Sequence, residues 1–291
     1  MRLTNNVHDT ALILEGGGMR GAFTAGIITR LLENEIYINY CIGVSAGATN
    51  LVNYLSRNIE NTKKSFVGLS SDPNIGGLKS MLTGKGYFNQ KYIYEKSCLK
   101  NGFLEFDYKI FFSNPARYKI PVFARDFGKT LYFSNKNVHS AKMLFEAVRA
   151  SSSLPLLMKP TYVNSIAFYD GGIAAPLPIN EAIRDGFKKF LIVFTRVESY
   201  QKPPVHKTTL AMLSRYPYLK KALQKRHQTY NRTVKFISDL ERAGSALVLR
   251  PDEMPIKNST IDSDKVLLVY ESGLAKAQEK MADIKAFLNL G

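Results

Sequence analysis

At 291 residues the chain is long enough for one large α/β domain or two small ones around a substantial core, so size excludes neither an enzyme nor a binding module. Lys and Arg number 40 against 24 acids, a formal charge of +16 that fits an anionic partner or plain solubility without separating nucleic acid from a membrane surface. The hydrophobic residues, 45% of the chain, include no run near the roughly 20 residues of a membrane-spanning helix, and Cys41 and Cys98 offer neither a disulfide framework nor metal-ligand spacing. The N-terminus lacks the apolar core of a secretory signal, so a cytoplasmic location is the expectation.

In chain order, residues 10–15 are a short apolar run entering Gly16-Gly17-Gly18-Met19-Arg20-Gly21. Residues 22–35 then place Phe23, Ile27, Ile28, Leu31 and Leu32 at helical spacing. This strand, glycine loop and helix fit a phosphate cradle, but in a dinucleotide fold an acid should end the second strand. Here that strand, residues 40–44, ends on Ser45 between Val44 and Ala46. Backbone N–H groups at a helix N-terminus also suit an oxyanion hole, and that use of the loop is preferred.

Gly43-Val44-Ser45-Ala46-Gly47 reads as a nucleophile elbow: a strained serine with small neighbours at a turn from strand to helix. Residues 61–120 are irregular and aromatic, including Phe88, Tyr94 and Phe106, which either pack inward or line an apolar channel. Residues 121–126 and 130–133 predict a β-hairpin, and residues 140–151 a helix. Residues 166–169 predict a strand running into Asp170-Gly171-Gly172, followed by a helix opened by Pro176 and Pro178; residues 190–195 are the clearest buried strand. Alternating strands and helices define an α/β fold with a mostly parallel central sheet flanked by helices.

Residues 199–238 hold nine basic residues and no acid, with apolar positions spaced as in helical hairpins. A solvated face is the plain reading, peripheral contact with an anionic membrane the sharper one, and nucleic acid is disfavoured for want of a motif. A strand at residues 246–249 and a helix from 264 to 290 complete the chain. The expected organisation is a catalytic domain over residues 10–196 and a basic, largely helical extension over 197–291 packed on it.

The loop Gly16–Gly21, the elbow around Ser45 and Asp170-Gly171-Gly172, in that order and each after a strand, together resemble the patatin-like phospholipase family. Residues 149–155 also look like its segment before the aspartate, and beyond about Arg196 the likeness is only to C-terminal extensions of short bacterial members. The resemblance implies a Ser-Asp dyad, with Ser45 as nucleophile, Asp170 as base and the Gly17, Gly18 and Met19 amides as oxyanion hole. It implies hydrolysis of a lipid or acyl-ester substrate through an acyl-enzyme, with no metal and no organic cofactor; Arg20 would anchor the loop or meet a phosphate head group. The residues themselves support a dyad: His8, His139, His206 and His227 lie in a tail, at a helix start or in the basic segment, whereas Asp170 sits at a strand end beside two glycines. The competing reading is a non-catalytic phosphate- or nucleotide-binding α/β protein that uses the same loop, with Ser45 and Asp170 as ordinary turn residues.

Overall fold

The computed structural model describes residues 3–291. Eight strands form one sheet: β1 (Thr10–Leu14), β2 (Tyr40–Gly43), β3 (Arg117–Ala124), β4 (Lys129–Ser134), β5 (Thr161–Val163), β6 (Ile166–Asp170), β7 (Lys189–Val193) and β8 (Ala246–Leu249). Between them run α1 (Gly21–Glu33), α2 (Ala46–Leu55), α3 (Ile59–Lys63), α4 (Leu78–Leu82), α5 (Tyr108–Ser113), α6 (Ala141–Ser151), α7 (Ile179–Arg184), α8 (Lys207–Met212), α9 (Pro217–Arg242), α10 (Ser263–Glu279) and α11 (Met281–Phe287). No helix among the described residues is long and apolar enough to cross a membrane.

The middle of the sheet is parallel, β3-β2-β1-β7-β8, and buried on both faces. Along β1, Leu12 and Leu14 enter the core shared with α1 and α10, while Ala11 and Ile13 face α7 and α9. Such two-sided burial makes these strands near-continuous apolar runs. At the other end the sheet turns antiparallel: β3 pairs with β4 and β6, and β6 with β5. The hairpin is as expected, but β5 was not legible, being three residues long with Tyr162 exposed.

The register around β3 positions everything that follows. Lys119 pairs with Ser134 of β4 and with Ile42 of β2, so β4 and β2 lie on opposite edges of β3. Val122 to Ala124 pair with both β4 and β6, so β6 lies on the same edge as β2. β2 and β6 thus run toward each other along one edge and stop with only Ile120 and Pro121 of β3 between them. Their C-terminal ends carry the elbow and Asp170.

The extension is woven into this frame. β8 extends the sheet, so strand pairing continues past residue 196, and α10 lies across α1. That crossing is close because two glycines face each other's backbone: a Cβ on Gly26 would sit 2.2 Å from the Tyr270 carbonyl oxygen, and one on Gly273 2.1 Å from that of Phe23. The basic segment is not a hairpin of matched helices; α8 has 6 residues and α9 has 26. The expected C-terminal helix breaks at Lys280 into α10 and α11.

Replacing Gly26 with alanine drives a methyl group into a carbonyl that cannot retreat without moving a helix. The expected outcome is a loss of about 1–3 kcal/mol, as for other overpacked contacts, read as a lower urea midpoint at unchanged slope. An unaltered midpoint would mean that the helices separate freely.

Candidate active site

β2 ends at Gly43, and two residues later Ser45 takes φ 55° and ψ −123° before α2 begins at Ala46. Few non-glycine residues adopt such a conformation, and holding one there costs on the order of 1–3 kcal/mol. Two features enforce it. The glycines on either side admit no side chain, since a Cβ on Gly47 would lie 2.3 Å from the Leu14 carbonyl oxygen and one on Gly43 2.2 Å from that of Gly47. The Ser45 amide also donates to Ser151 Oγ at 3.0 Å, and that hydroxyl donates onward to the Pro121 carbonyl at 2.7 Å. Ser151, at the end of α6, therefore ties the elbow to the gap in the edge of β3.

Asp170 closes the same gap from the other side. Only 3% exposed, it accepts the Gly172 amide on Oδ1 at 2.7 Å and donates its own amide to the Ser153 carbonyl at 2.9 Å. Gly171 fits against Pro121 so closely that a Cβ would lie 2.1 Å from its carbonyl oxygen. Burial raises the carboxyl above its ordinary pKa of 3.8. Arg226, the Ser45 hydroxyl and the Gly172 amide oppose that rise by favouring the charged form. Residues 45 and 170 thus line the same cavity, with the Ser45 hydroxyl near enough to favour the ionised Asp170 carboxylate.

The glycine loop passes beside them. Gly18 has φ +55° and opens a short 3₁₀ turn, Gly18–Arg20, that leads into α1. The Met19 amide donates to the Asn258 carbonyl at 3.0 Å and the Arg20 amide to that of Gly17 at 3.3 Å. The Gly21 amide turns back to Gly18 and Met19. Of the donors expected to form an oxyanion hole, those of Met19, Arg20 and Gly21 are therefore already engaged. The Gly16, Gly17 and Gly18 amides donate to no acceptor among the described residues. Asn258, from the extension, holds the loop in this shape.

Ser45 stands where two cavities meet. One is apolar and includes Phe66, Leu69, Phe88, Ile93, Phe106 and Met158. The aromatic stretch thus divides: Phe88, Tyr94 and Phe106 line this cavity, while Phe103, Tyr108 and Phe112 remain exposed. The second cavity is polar and brings Arg20, Arg196, Lys202 and Arg226 together beside Asp170 and Glu15. Gly18, Ser45 and Leu154 border both.

Several of these residues were not singled out by the sequence. Glu15 looks like the last residue of a strand, yet its carboxylate is buried and accepts the Thr195 amide and hydroxyl and the Tyr230 hydroxyl. Lys202 and Arg226 belong to the basic segment expected to face solvent or membrane. Six of its nine basic residues are exposed, but these two turn inward and Lys220 is half-buried. The Arg226 Nε–H donates to the Gly172 carbonyl at 2.7 Å. His8, His139 and His206 are exposed, His227 is half-buried, and none lines either cavity. Among the described residues no three His, Cys, Asp or Glu side chains gather as a metal site requires.

An α/β sheet with a strained serine at one strand end, an aspartate facing it and a glycine loop alongside is the architecture of a recognised class. The family description "Patatin-like phospholipase" matches residues 12–183, and the chain belongs to that family. Residues 216–289 match a domain of unknown function, DUF6363. Among curated relatives, "Uncharacterized protein YjjU" of Escherichia coli K12 is 24% identical over 64% of this chain and 51% of its own length. "Lysophospholipase NTE1" of Candida albicans is 26% identical over 98% of this chain and 21% of that protein, and its counterpart in Kluyveromyces lactis 26% over 91% and 18%. The chain thus spans about half of the first relative and about a fifth of the other two. A solved structure, VipD from Legionella pneumophila, shares the fold with a TM-score of 0.51 at 15% identity, over 97% of this chain and 67% of that one.

Backbone strain at residue 45 has a direct test. Ser45→Gly and Ser45→Ala both remove the hydroxyl, but only glycine relaxes at φ 55°. The glycine variant is expected to be the more stable of the two by about 1 kcal/mol, seen as a melting temperature a few degrees higher. Equal melting temperatures would mean that the elbow stores no strain.

Proposed function

We propose that this chain is a serine lipid acyl hydrolase working through a Ser45–Asp170 dyad and an acyl-enzyme. The observation that carries the reading is the strained Ser45 hydroxyl facing a buried carboxylate where an apolar and a polar cavity meet. Family membership and two relatives named lysophospholipase support it. A serine hydroxyl needs a base to become a useful nucleophile, and Asp170 is the titratable group turned toward it. Burial makes that aspartate a stronger base than a solvated one.

In the proposed cycle Ser45 Oγ attacks the ester carbonyl and its proton passes to Asp170. The carbonyl oxygen becomes an oxyanion beside the free amides of the glycine loop, Gly17 and Gly18 foremost, with the dipoles of α1 and α2 starting alongside. Collapse breaks the ester bond, and the leaving alcohol takes the proton from Asp170. Water then attacks the acyl-Ser45 ester, yielding its proton to Asp170, which returns it to Ser45 as the carboxylic acid departs. The acyl chain lies in the apolar cavity, where its burial favours binding by about 0.8 kcal/mol per methylene.

Two measurements test the reading. The pH profile of kcat/KM should rise through a single ionisation above the ordinary aspartate value of 3.8, because the active form is the carboxylate and burial holds its proton on. A rise near about 6.5, the usual value for histidine, would count against the dyad.

The second uses a fluorophosphonate probe and a panel of phospholipids, lysophospholipids, acylglycerols and aryl esters. Ser45→Ala should abolish labelling and turnover, and Asp170→Asn should lower both by on the order of 10³–10⁴. The asparagine variant should also melt at or above the parent near neutral pH. A carboxyl whose pKa rises on folding contributes stability below its unfolded pKa that is lost as pH climbs through the folded one, and asparagine cannot ionise. Equal labelling of all three proteins would leave Ser45 an ordinary turn residue.

A further inference from the structure

The polar cavity carries more positive charge than the dyad requires. Arg20, Arg196, Lys202 and Arg226 converge on it, and none forms a salt bridge among the described residues. Arg20 is only 8% exposed, and its Nε–H has no hydrogen-bond partner. A buried N–H left without a partner is costly and calls for an acceptor. The two carboxylates present do not supply one: Asp170 is turned to Ser45 and Gly172, and both oxygens of Glu15 are taken by Thr195 and Tyr230.

The cations are held in place rather than free to swing away. The Lys202 backbone is clamped to the Asn231 side chain by two hydrogen bonds, and its ammonium lies 4.7 Å over the Tyr230 ring. The Arg196 guanidinium lies 4.0 Å over Tyr200, and Arg226 is fastened to the Gly172 carbonyl. Burial and mutual repulsion bring Lys202 down to about 7 and Arg20 to about 10. Such crowding is unfavourable in an empty pocket and turns favourable when an anion enters.

We infer that the polar cavity is a subsite for an anionic, phosphate-bearing head group, built largely by residues outside the patatin-like segment, and that it selects acyl esters of glycerol phosphate over zwitterionic and neutral ones. The inference rests on the hydrolase reading for its substrate, but the subsite itself does not. With Lys202 protonated, as an entering anion would favour, four cations against two carboxylates leave a formal excess of two positive charges, which a phosphomonoester dianion balances. A choline or ethanolamine head group would bring a further cation into the cluster, and a monoacylglycerol would leave it unmatched. Arg196, Lys202 and Arg226 lie beyond residue 183, so the selectivity would come largely from outside the matched patatin-like segment, with Lys202 and Arg226 supplied by the extension.

The test has two arms on the full chain. In the first, glycerol 3-phosphate, inorganic phosphate and glycerol are titrated calorimetrically into the Ser45→Ala protein and the Ser45→Ala/Lys202→Met protein. Glycerol 3-phosphate should bind, glycerol should not, and Lys202→Met should weaken binding at least tenfold; no binding of either phosphate would overturn the subsite whether or not the enzyme hydrolyses lipids. In the second, kcat/KM is compared for 1-acylglycerol 3-phosphate, 1-acylglycerophosphocholine and 1-monoacylglycerol of one chain length. The first should be preferred at least tenfold, and Lys202→Met and Arg196→Gln should each shrink that ratio. Phosphate binding with equal turnover of all three would assign the pocket to free phosphate and overturn the head-group inference while leaving the hydrolase intact. Absence of turnover with every ester would instead remove the hydrolase reading and leave the first arm to judge the subsite.

Discussion

The structure depends on two strands sharing one edge. β2 and β6 approach head-on along β3 and stop two residues short of each other, so the chain leaving each strand must turn out of the sheet at the same place. One turn is the Ser45 elbow and the other is the Asp170 strand end. Pro121 sits in the gap, where an amide hydrogen would have found no strand to pair with, and its carbonyl receives the Ser151 hydroxyl that holds the elbow. Three elements are thus fastened to a two-residue interruption in a β-ladder, and the proximity of hydroxyl and carboxylate follows from pairing geometry.

The extension is part of the same construction. Asn258 grips the glycine loop through the Met19 amide, and Gly26 and Gly273 let α10 lie directly on α1, the helix that the loop begins. Tyr230 on α9 bonds Glu15, the residue just before the loop. Residues beyond 196 therefore constrain the loop from three sides, which limits how far its free amides can shift. That rigidity is what electrostatic stabilisation of a developing oxyanion requires, since donors that must reorganise lose most of their effect.

The two cavities divide the environment of Ser45 by polarity. Aromatic and aliphatic side chains line one side, and four cations that form no salt bridge among the described residues crowd the other. An amphipathic ester fits such a boundary with its acyl chain on the first side and its alcohol on the second. Asp170 lies on the charged side, where the Arg226 guanidinium offsets part of the cost of burying a carboxylate.

Much of this was legible in the linear chain. The apolar runs of β1, β2 and β7 declared a parallel sheet because burial on both faces leaves no room for polar alternation, and Gly43, Gly47 and Gly171 marked places where backbones nearly touch. Ser45 and Asp170 stood out as candidates by residue type and local context. What the sequence could not carry were properties of pairing and direction. The antiparallel turn of the sheet at β6 and the capture of the Met19 amide by Asn258 depend on partners tens to hundreds of residues away, and the three-residue β5 is too short and too exposed to leave an apolar pattern. The basic segment is the clearest case: Lys202 and Arg226 have the same local pattern as their exposed neighbours, and only tertiary packing turns them inward, Arg226 through the way α9 lies against the sheet and Lys202 through the clamp of its loop backbone to Asn231. Local chemistry is written in neighbouring residues, whereas the direction of a side chain is decided by the surface its helix covers.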